Sequence, residues 1–379
     1  MMKTYNFIYA FVALGVMGCS KSEEYSDNDG TKINQKSTAD YTLLLKSNGE
    51  LKGTHLNGDA ETLTLNEGGS SFTSRFEPLL ISEDGSILTM YHKNSSCTGT
   101  VTIHNFKDDS SESYEVFEDL GTCSLIPKAI VKGGDNIYVA YEKEVDAKLT
   151  DFAVRAIDIT DNQNTYVDIS LKYNPVGLTF SDNRLFILSL DEDVSGEHKL
   201  IVIDASTKTE VFNGNLGFDA RNIFKNPDGD IIVGYDELHT TIDRKTMTFL
   251  YTNYGPGSAP NFTKSALRHF DSNGLMYYAM VAGTFSSYTT IPAVYDFNKN
   301  SAVLYAFENF LTEAQLKFEF EIENTTMVHY DEDNNLLLVG YKKSVNGDKG
   351  GLLRINPVPQ PKFEGNLDLD GIPYAIYFN

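Results

Sequence analysis

One arrangement of apolar and polar positions recurs along this chain. A short apolar strand runs into an Asp/Asn/Gly turn, and a second apolar strand follows, ending near a Tyr or a charge. It reads EPLLISEDGSILTMYHK from Glu77, PKAIVKGGDNIYVAYEK from Pro127 and PVGLTFSDNRLFILSLD from Pro175. It returns as ARNIFKNPDGDIIVGYD from Ala220, ALRHFDSNGLMYYAMVA from Ala266 and TMVHYDEDNNLLLVGYK from Thr326. The first apolar residue after each turn sets the period: Ile87, Ile137, Leu185, Ile231, Leu275 and Leu336, with gaps of 50, 48, 46, 44 and 61 residues. A unit of about 40–50 residues with several short strands is the signature of a four-stranded propeller blade.

Within the second unit four strands are predicted: Lys128–Val131, Ile137–Glu142, Phe152–Asp158 and Tyr166–Ser170. Gly133-Gly134-Asp135-Asn136 and Asp161-Asn162 separate them, and Gly and Asn reach the positive φ of tight hairpins cheaply. Runs such as Leu200-Ile201-Val202-Ile203 suit strands covered on both faces by neighbouring blades. The last residues, Ile372–Phe378, begin one more unit, and the chain then stops. Its missing strands are at the other end: Tyr41–Lys46, Glu50–Leu56 and Glu61–Leu65. Pairing the C-terminal strand with these closes the ring and removes an open edge. The expectation is all-β: a seven-bladed β-propeller over residues 40–379. A tandem of β-sandwiches shares the strand spacing, but recurrence of one unit favours the propeller.

The N-terminus carries a different signal. Met1-Met2-Lys3 is basic, Phe7 to Val16 is mostly apolar, and Val16-Met17-Gly18-Cys19 follows. That order marks a secretory signal over residues 1–18, too short for a permanent span. With Cys at the cut, the stretch resembles a bacterial lipoprotein signal, which implies lipidation of Cys19 and stable anchoring by several acyl chains. Ser20-Lys21-Ser22-Glu23-Glu24 is similar to the surface-export signal of Bacteroidota lipoproteins, though a plain polar linker has the same composition. Residues 19–39 then read as the lipidated Cys and a tether.

Composition narrows the partners. The net charge is −22, and loss of residues 1–18 removes only Lys3, which leaves −23. So acidic a surface argues against nucleic acid, whose phosphates need Lys and Arg. The apolar fraction of 41% is enough for a core. Apart from Cys19 the cysteines are Cys97 and Cys123, 26 residues apart in the first unit and a candidate disulfide outside the cytoplasm.

Signatures of chemistry are few. Asn366-Leu367-Asp368-Leu369-Asp370-Gly371 opens like a calcium-binding loop, but its twelfth position is Tyr377 where a bidentate Glu is required. Asp27-Asn28-Asp29-Gly30 lies in the tether and is a weaker match still, and Asp191-Glu192-Asp193 in a loop of blade three offers loose cation binding, with a solvated turn the favoured reading. No His-x-x-x-His, Cys-x-x-Cys or Gly-x-Ser-x-Gly occurs, so no metal, cofactor or nucleophile is assigned. A channel site is more concrete. First strands of blades line the central channel, and those strands carry Lys128, Arg221, Asn222, Arg268, His269 and His329. Arg offers bidentate contacts to carboxylate or phosphate and His titrates near neutrality, so an anionic ligand fits; structural filling of the channel is the alternative. Tyr251, Tyr254, Phe262, Phe285 and Tyr288 form a second candidate, an aromatic platform on loops. The absence of Trp weakens a sugar-stacking role for it. The 61-residue gap contains Leu311–Leu316, a short helix with Thr312 as its cap.

Three functions follow as expectations. The first is a non-catalytic ligand-binding module. The lipoprotein resemblance implies an accessory lipoprotein at the outer-membrane surface, beside a TonB-dependent transporter, capturing a small molecule, glycan, peptide or iron chelate. The second is a propeller hydrolase or lyase with its site at the channel mouth, and the third is a docking platform for other proteins. Propellers host all three.

Overall fold

The computed structural model describes residues 38–378, apart from 59–61, 67–69, 71, 75, 95–96, 121–122, 147–148, 161–164, 193, 195, 262–266, 285, 346 and 358. The signal segment, Cys19 and the tether therefore lie outside the described residues. Seven antiparallel sheets make up the fold, and it is a seven-bladed β-propeller. Six blades use four consecutive strands each. Blade one spans 80–116, blade two 125–171, blade three 174–218, blade four 222–253, blade five 269–304 and blade six 322–369. In each, the first strand is innermost and the fourth outermost.

Blade seven takes strands from both ends of the chain. Its inner strand is Ile372–Phe378, followed outward by Ala39–Ser47, Glu50–Gly58 and Leu63–Asn66. Tyr41 pairs with Phe378 and Leu43 with Ile376, and the register shifts once between Leu44 and Leu45. The outer strand differs from the expected Glu61–Leu65. Pairing with the third strand runs from Gly58 opposite Leu63 to His55 opposite Asn66, which sets the strand at Leu63–Asn66. Thr73–Ser74 adds a short pairing to the same third strand, opposite Lys52 and Leu51. The Tyr41 hydroxyl also donates to the Asp331 carboxylate of blade six, which is fully buried.

The core is a ring rather than a centre. Seven apolar clusters occur among the described residues, one at each contact between adjacent blades. The seam beside the closing sheet joins Leu44, Ala375 and Tyr377 of blade seven to Leu88, Met90 and Phe106 of blade one. Strands covered on both faces explain the unbroken apolar runs, such as Leu185–Leu188, none of it exposed by more than 1%. Buried Arg155 crosses one seam, bonded to Asp119 of the first-to-second blade connection and to Asp168 of its own outer strand. The long connection into blade six holds a five-residue π turn, Gln315–Glu319, rather than a regular helix. Thr312 does cap it: the Gln315 N–H donates to Thr312 Oγ1, and the Thr312 N–H donates to Gln315 Oε1.

Candidate functional site in the central channel

The innermost strands of all seven blades converge on one cavity of about 630 Å3. Each inner strand presents its side chains alternately to the blades on either side, so channel groups meet across blade seams. Ile81, Ile130, Leu178, Ile223 and Ile376 make much of the wall apolar, and Phe180, Phe224, Phe270 and Phe378 add aromatic faces. The volume falls in the range of small-molecule sites.

Polar groups from several blades face the same cavity. His269 of blade five and His329 of blade six lie against each other with ring centroids 3.6 Å apart and planes tilted by 33°, and the Phe378 ring lies 4.9 Å from His329. Neither Nε2 has a hydrogen-bond partner among the described residues. Desolvation depresses both imidazoles: His269 falls to about 4, with Asp271, Glu332 and the Tyr330 backbone opposing, and His329 falls well below its usual value, with His269 adding to the fall. Both are therefore neutral at pH 7, each with one donor and one acceptor nitrogen. Arg268 lies with its guanidinium 4.3 Å from the centroid of the Phe224 ring, a cation–π contact, and desolvation pulls it down to about 10. Across the channel, Glu83 of blade one sits beside the Tyr377 hydroxyl of blade seven. Desolvation raises the Glu83 carboxyl to about 7, and Tyr377 opposes the rise.

Lys128 and Asn222 also line this cavity, together with Arg268, His269 and His329. Lys128 is neutralised within its blade by Glu142 at 2.8 Å. Arg221 does not join them. The inner strand of blade four is only Asn222–Lys225, so Arg221 falls outside it, exposed on the rim and 3.5 Å from both Asp219 and Asp236. Sequence reading missed Glu83, Tyr377 and Phe224. Glu83 is a carboxylate one residue inside a hairpin turn, where alternation alone marks it as facing a seam. It also missed the Lys225–Asp84 ion pair, 2.8 Å, which links blades four and one across the channel mouth.

Of the proposed aromatic platform, Phe262 and Phe285 lie outside the described residues, and the three described members are not brought together. Tyr251 is on the outer strand of blade four, Phe249–Asn253, and not in a loop, because pairing with Leu238–Ile242 continues through Asn253. Tyr254 packs on His239 and Tyr295, at 5.6 and 6.4 Å, and Tyr288 meets Phe307 edge-on at 5.1 Å. These three serve separate packing contacts. Cys97 and Cys123 are joined as a disulfide with Cα atoms 4.8 Å apart. The calcium-like segment is the outer strand of blade six and its turn, where Asp368 pairs with Lys343 and Asp370 with Lys349. Among the described residues no three His, Cys, Asp or Glu side chains gather into a metal site.

No protein-family model and no curated protein matches this chain. Among solved structures it is similar to puromycin hydrolase, at 10% identity over 89% of this chain and 55% of that one, TM-score 0.47. AztD of Citrobacter koseri is similar at 9% identity over 90% and 98%, TM-score 0.44. The extracellular domain of the putative hybrid two-component system BT3049 from B. thetaiotaomicron is similar at 14% identity over 88% and 40%, TM-score 0.41. At such identities and TM-scores the likeness carries no function across.

Proposed function

We propose that this protein is a lipoprotein anchored through Cys19 at the outer-membrane surface, which captures a small ligand in its central channel. One observation carries the ligand reading: all seven inner strands meet at a single cavity of about 630 Å3 that combines apolar walls with Arg268, His269, His329 and Glu83. A ligand with an acidic group and an apolar body suits this wall. The acid group meets the Arg268 guanidinium, the body lies against Phe224 and Phe270, and the imidazoles of His269 and His329 supply neutral hydrogen bonds. The anchor reading rests on the resemblance of residues 1–24 to an exported lipoprotein signal, and the proposed partner is a TonB-dependent transporter that receives the ligand.

Two experiments test these parts separately. Mass spectrometry of the N-terminal peptide from membrane fractions is expected to find acylated Cys19, and an unmodified or differently cleaved terminus sinks the anchor. For the channel, native mass spectrometry after incubation with small aromatic and branched aliphatic carboxylates is expected to show a one-to-one complex. Arg268→Met should weaken it about tenfold or more, the scale of a charge-assisted hydrogen bond. Equal binding by the variant refutes the Arg268 assignment, and turnover of a bound compound refutes the non-catalytic reading.

A further inference from the structure

Seven blades in one orientation give the propeller two rims of different chemistry. One rim gathers the turn that follows each inner strand. The two ends of the described fold reach this rim as well, since the strand that begins at Ala39 pairs Tyr41 with Phe378 at the end of the last strand. The opposite rim gathers the hairpin between the second and third strands of each blade and the connection from each outer strand to the next inner one. The exposed large apolar side chains that are not on outer strands collect on this opposite rim, apart from Phe378 in the channel.

Five of them, joined by Phe218 at the rim end of an outer strand, follow one another around an arc of three blades. Phe76 and Leu79 lead into the inner strand of blade one. Ile126 and Val176 stand near the start of the inner strands of blades two and three, at the channel mouth. Val145 is next to last in the second strand of blade two, and Phe218 ends the outer strand of blade three. Phe76 is 71% exposed, and Phe318, in the connection before blade six, is 80% exposed. Isolated exposed apolar residues are ordinary; an arc of them on one rim is not.

Charge on the same rim states what covers it. The apolar residues have exposed acidic neighbours: Glu77 beside Phe76, Glu144 beside Val145, Asp219 beside Phe218 and Glu319 beside Phe318. Lys46 faces Glu77 and Arg221 faces Asp219 and Asp236; Lys93, Lys143 and Lys172 stand on this rim too, but the exposed acids Glu77, Glu118, Glu144, Glu192, Asp219, Asp236 and Glu237 outnumber these bases, so the surplus is negative. A second copy of this acidic chain or an anionic membrane is repelled by such a surface. We infer that the rim opposite the chain ends docks a protein whose contact face is apolar and basic. This inference is independent of whether the channel takes a ligand.

The test uses fluorescein-labelled dodecapeptides and fluorescence anisotropy at physiological salt. A peptide alternating Leu and Lys is expected to bind wild-type protein. Its affinity should fall about tenfold or more in Phe76→Ser/Ile126→Ser/Phe218→Ser, as when the central contacts of an interface are truncated. It should be unchanged in Leu250→Ser/Tyr251→Ser, which alters exposed apolar residues on an outer strand. A peptide alternating Ser and Lys should bind about tenfold more weakly than the Leu/Lys peptide. Equal affinity of the triple variant, or of the Ser/Lys peptide, overturns the inference. So does a wild-type dimer in sedimentation that the triple variant abolishes, or co-sedimentation with phosphatidylglycerol vesicles, by protein lacking the Cys19 acyl chains, that the triple variant abolishes. All substitutions are at exposed positions, and unchanged far-UV circular dichroism confirms that the variants are folded.

Discussion

Glu83 and His269 should pull the stability of this propeller in opposite directions across one pH window. Replacing Glu83 with Gln separates them. The Glu83 carboxyl rises from 4.5 to about 7, first through desolvation and then through Asp84. A carboxyl that holds its proton more tightly when folded favours the folded state below its unfolded pKa. That contribution is lost as pH climbs from 4.5 toward 7. The His269 imidazole falls from 6.5 to about 4, so its contribution is complete above 6.5 and is lost as pH falls toward 4. Each shift corresponds to about 3.4 kcal/mol at 1.36 kcal/mol per pKa unit. Both side chains face the channel, and solvent there reduces each figure to about 2 kcal/mol. In the wild type the two slopes offset each other between pH 4.5 and 6.5. Glu83→Gln keeps the shape and removes the ionisation, so it should be more stable than wild type by about 2 kcal/mol at pH 8 and equal to it near pH 4. The assay is guanidinium unfolding followed by far-UV circular dichroism at half-unit pH steps from 4 to 8. A difference between variant and wild type that does not change with pH refutes the argument, because it leaves no shifted carboxyl at residue 83.

Three other perturbations address the frame. Arg155→Ala leaves Asp119 and Asp168 without their shared guanidinium at a buried seam, and should cost about 3–5 kcal/mol in guanidinium unfolding. A cost below 1 kcal/mol would mean that water replaces the network. Gly351→Ala places a Cβ within the Tyr341 ring, which is fully buried, and should cost about 1–3 kcal/mol by the same measure. Cys97→Ala/Cys123→Ala opens a loop of 26 residues and should lower stability by about 3.5 kcal/mol in the chain-entropy description. An intact-mass difference of about 2 Da on reduction of the wild type checks that the bond is present.

The apolar period made the ring legible because each blade buries both faces. The pattern that defines a strand and the pattern that defines a repeat are then the same pattern. Closure was legible for a related reason: Ile372–Phe378 has the first-strand pattern without successors, and residues 41–65 have successors without a first strand. Side-chain groupings were less accessible. Arg221 and Asn222 are adjacent in sequence, yet a four-residue inner strand puts only the second in the channel. Tyr251 precedes a Gly-Pro-Gly segment that suggests a loop, but cross-strand pairing holds it in a sheet. The Arg155 network needs Asp119, 36 residues earlier and in another blade connection. No local periodicity records a contact made by the curvature of the whole ring. Glu83 beside Tyr377 joins the first blade to the last for the same reason.

That curvature also separates the two proposed binding surfaces. Channel groups such as Glu83, His269 and His329 stand within inner strands and are held by seam packing on both sides. Rim residues such as Phe76, Phe218 and Phe318 stand at strand ends or in connections, where exchange of one side chain leaves the ladders intact. Substitutions in the channel should therefore change ligand affinity together with stability. Substitutions on the rim should change partner affinity alone. The chain enters the sheet at Ala39, on the rim of turns, and the apolar, acidic rim lies at the other end of the channel.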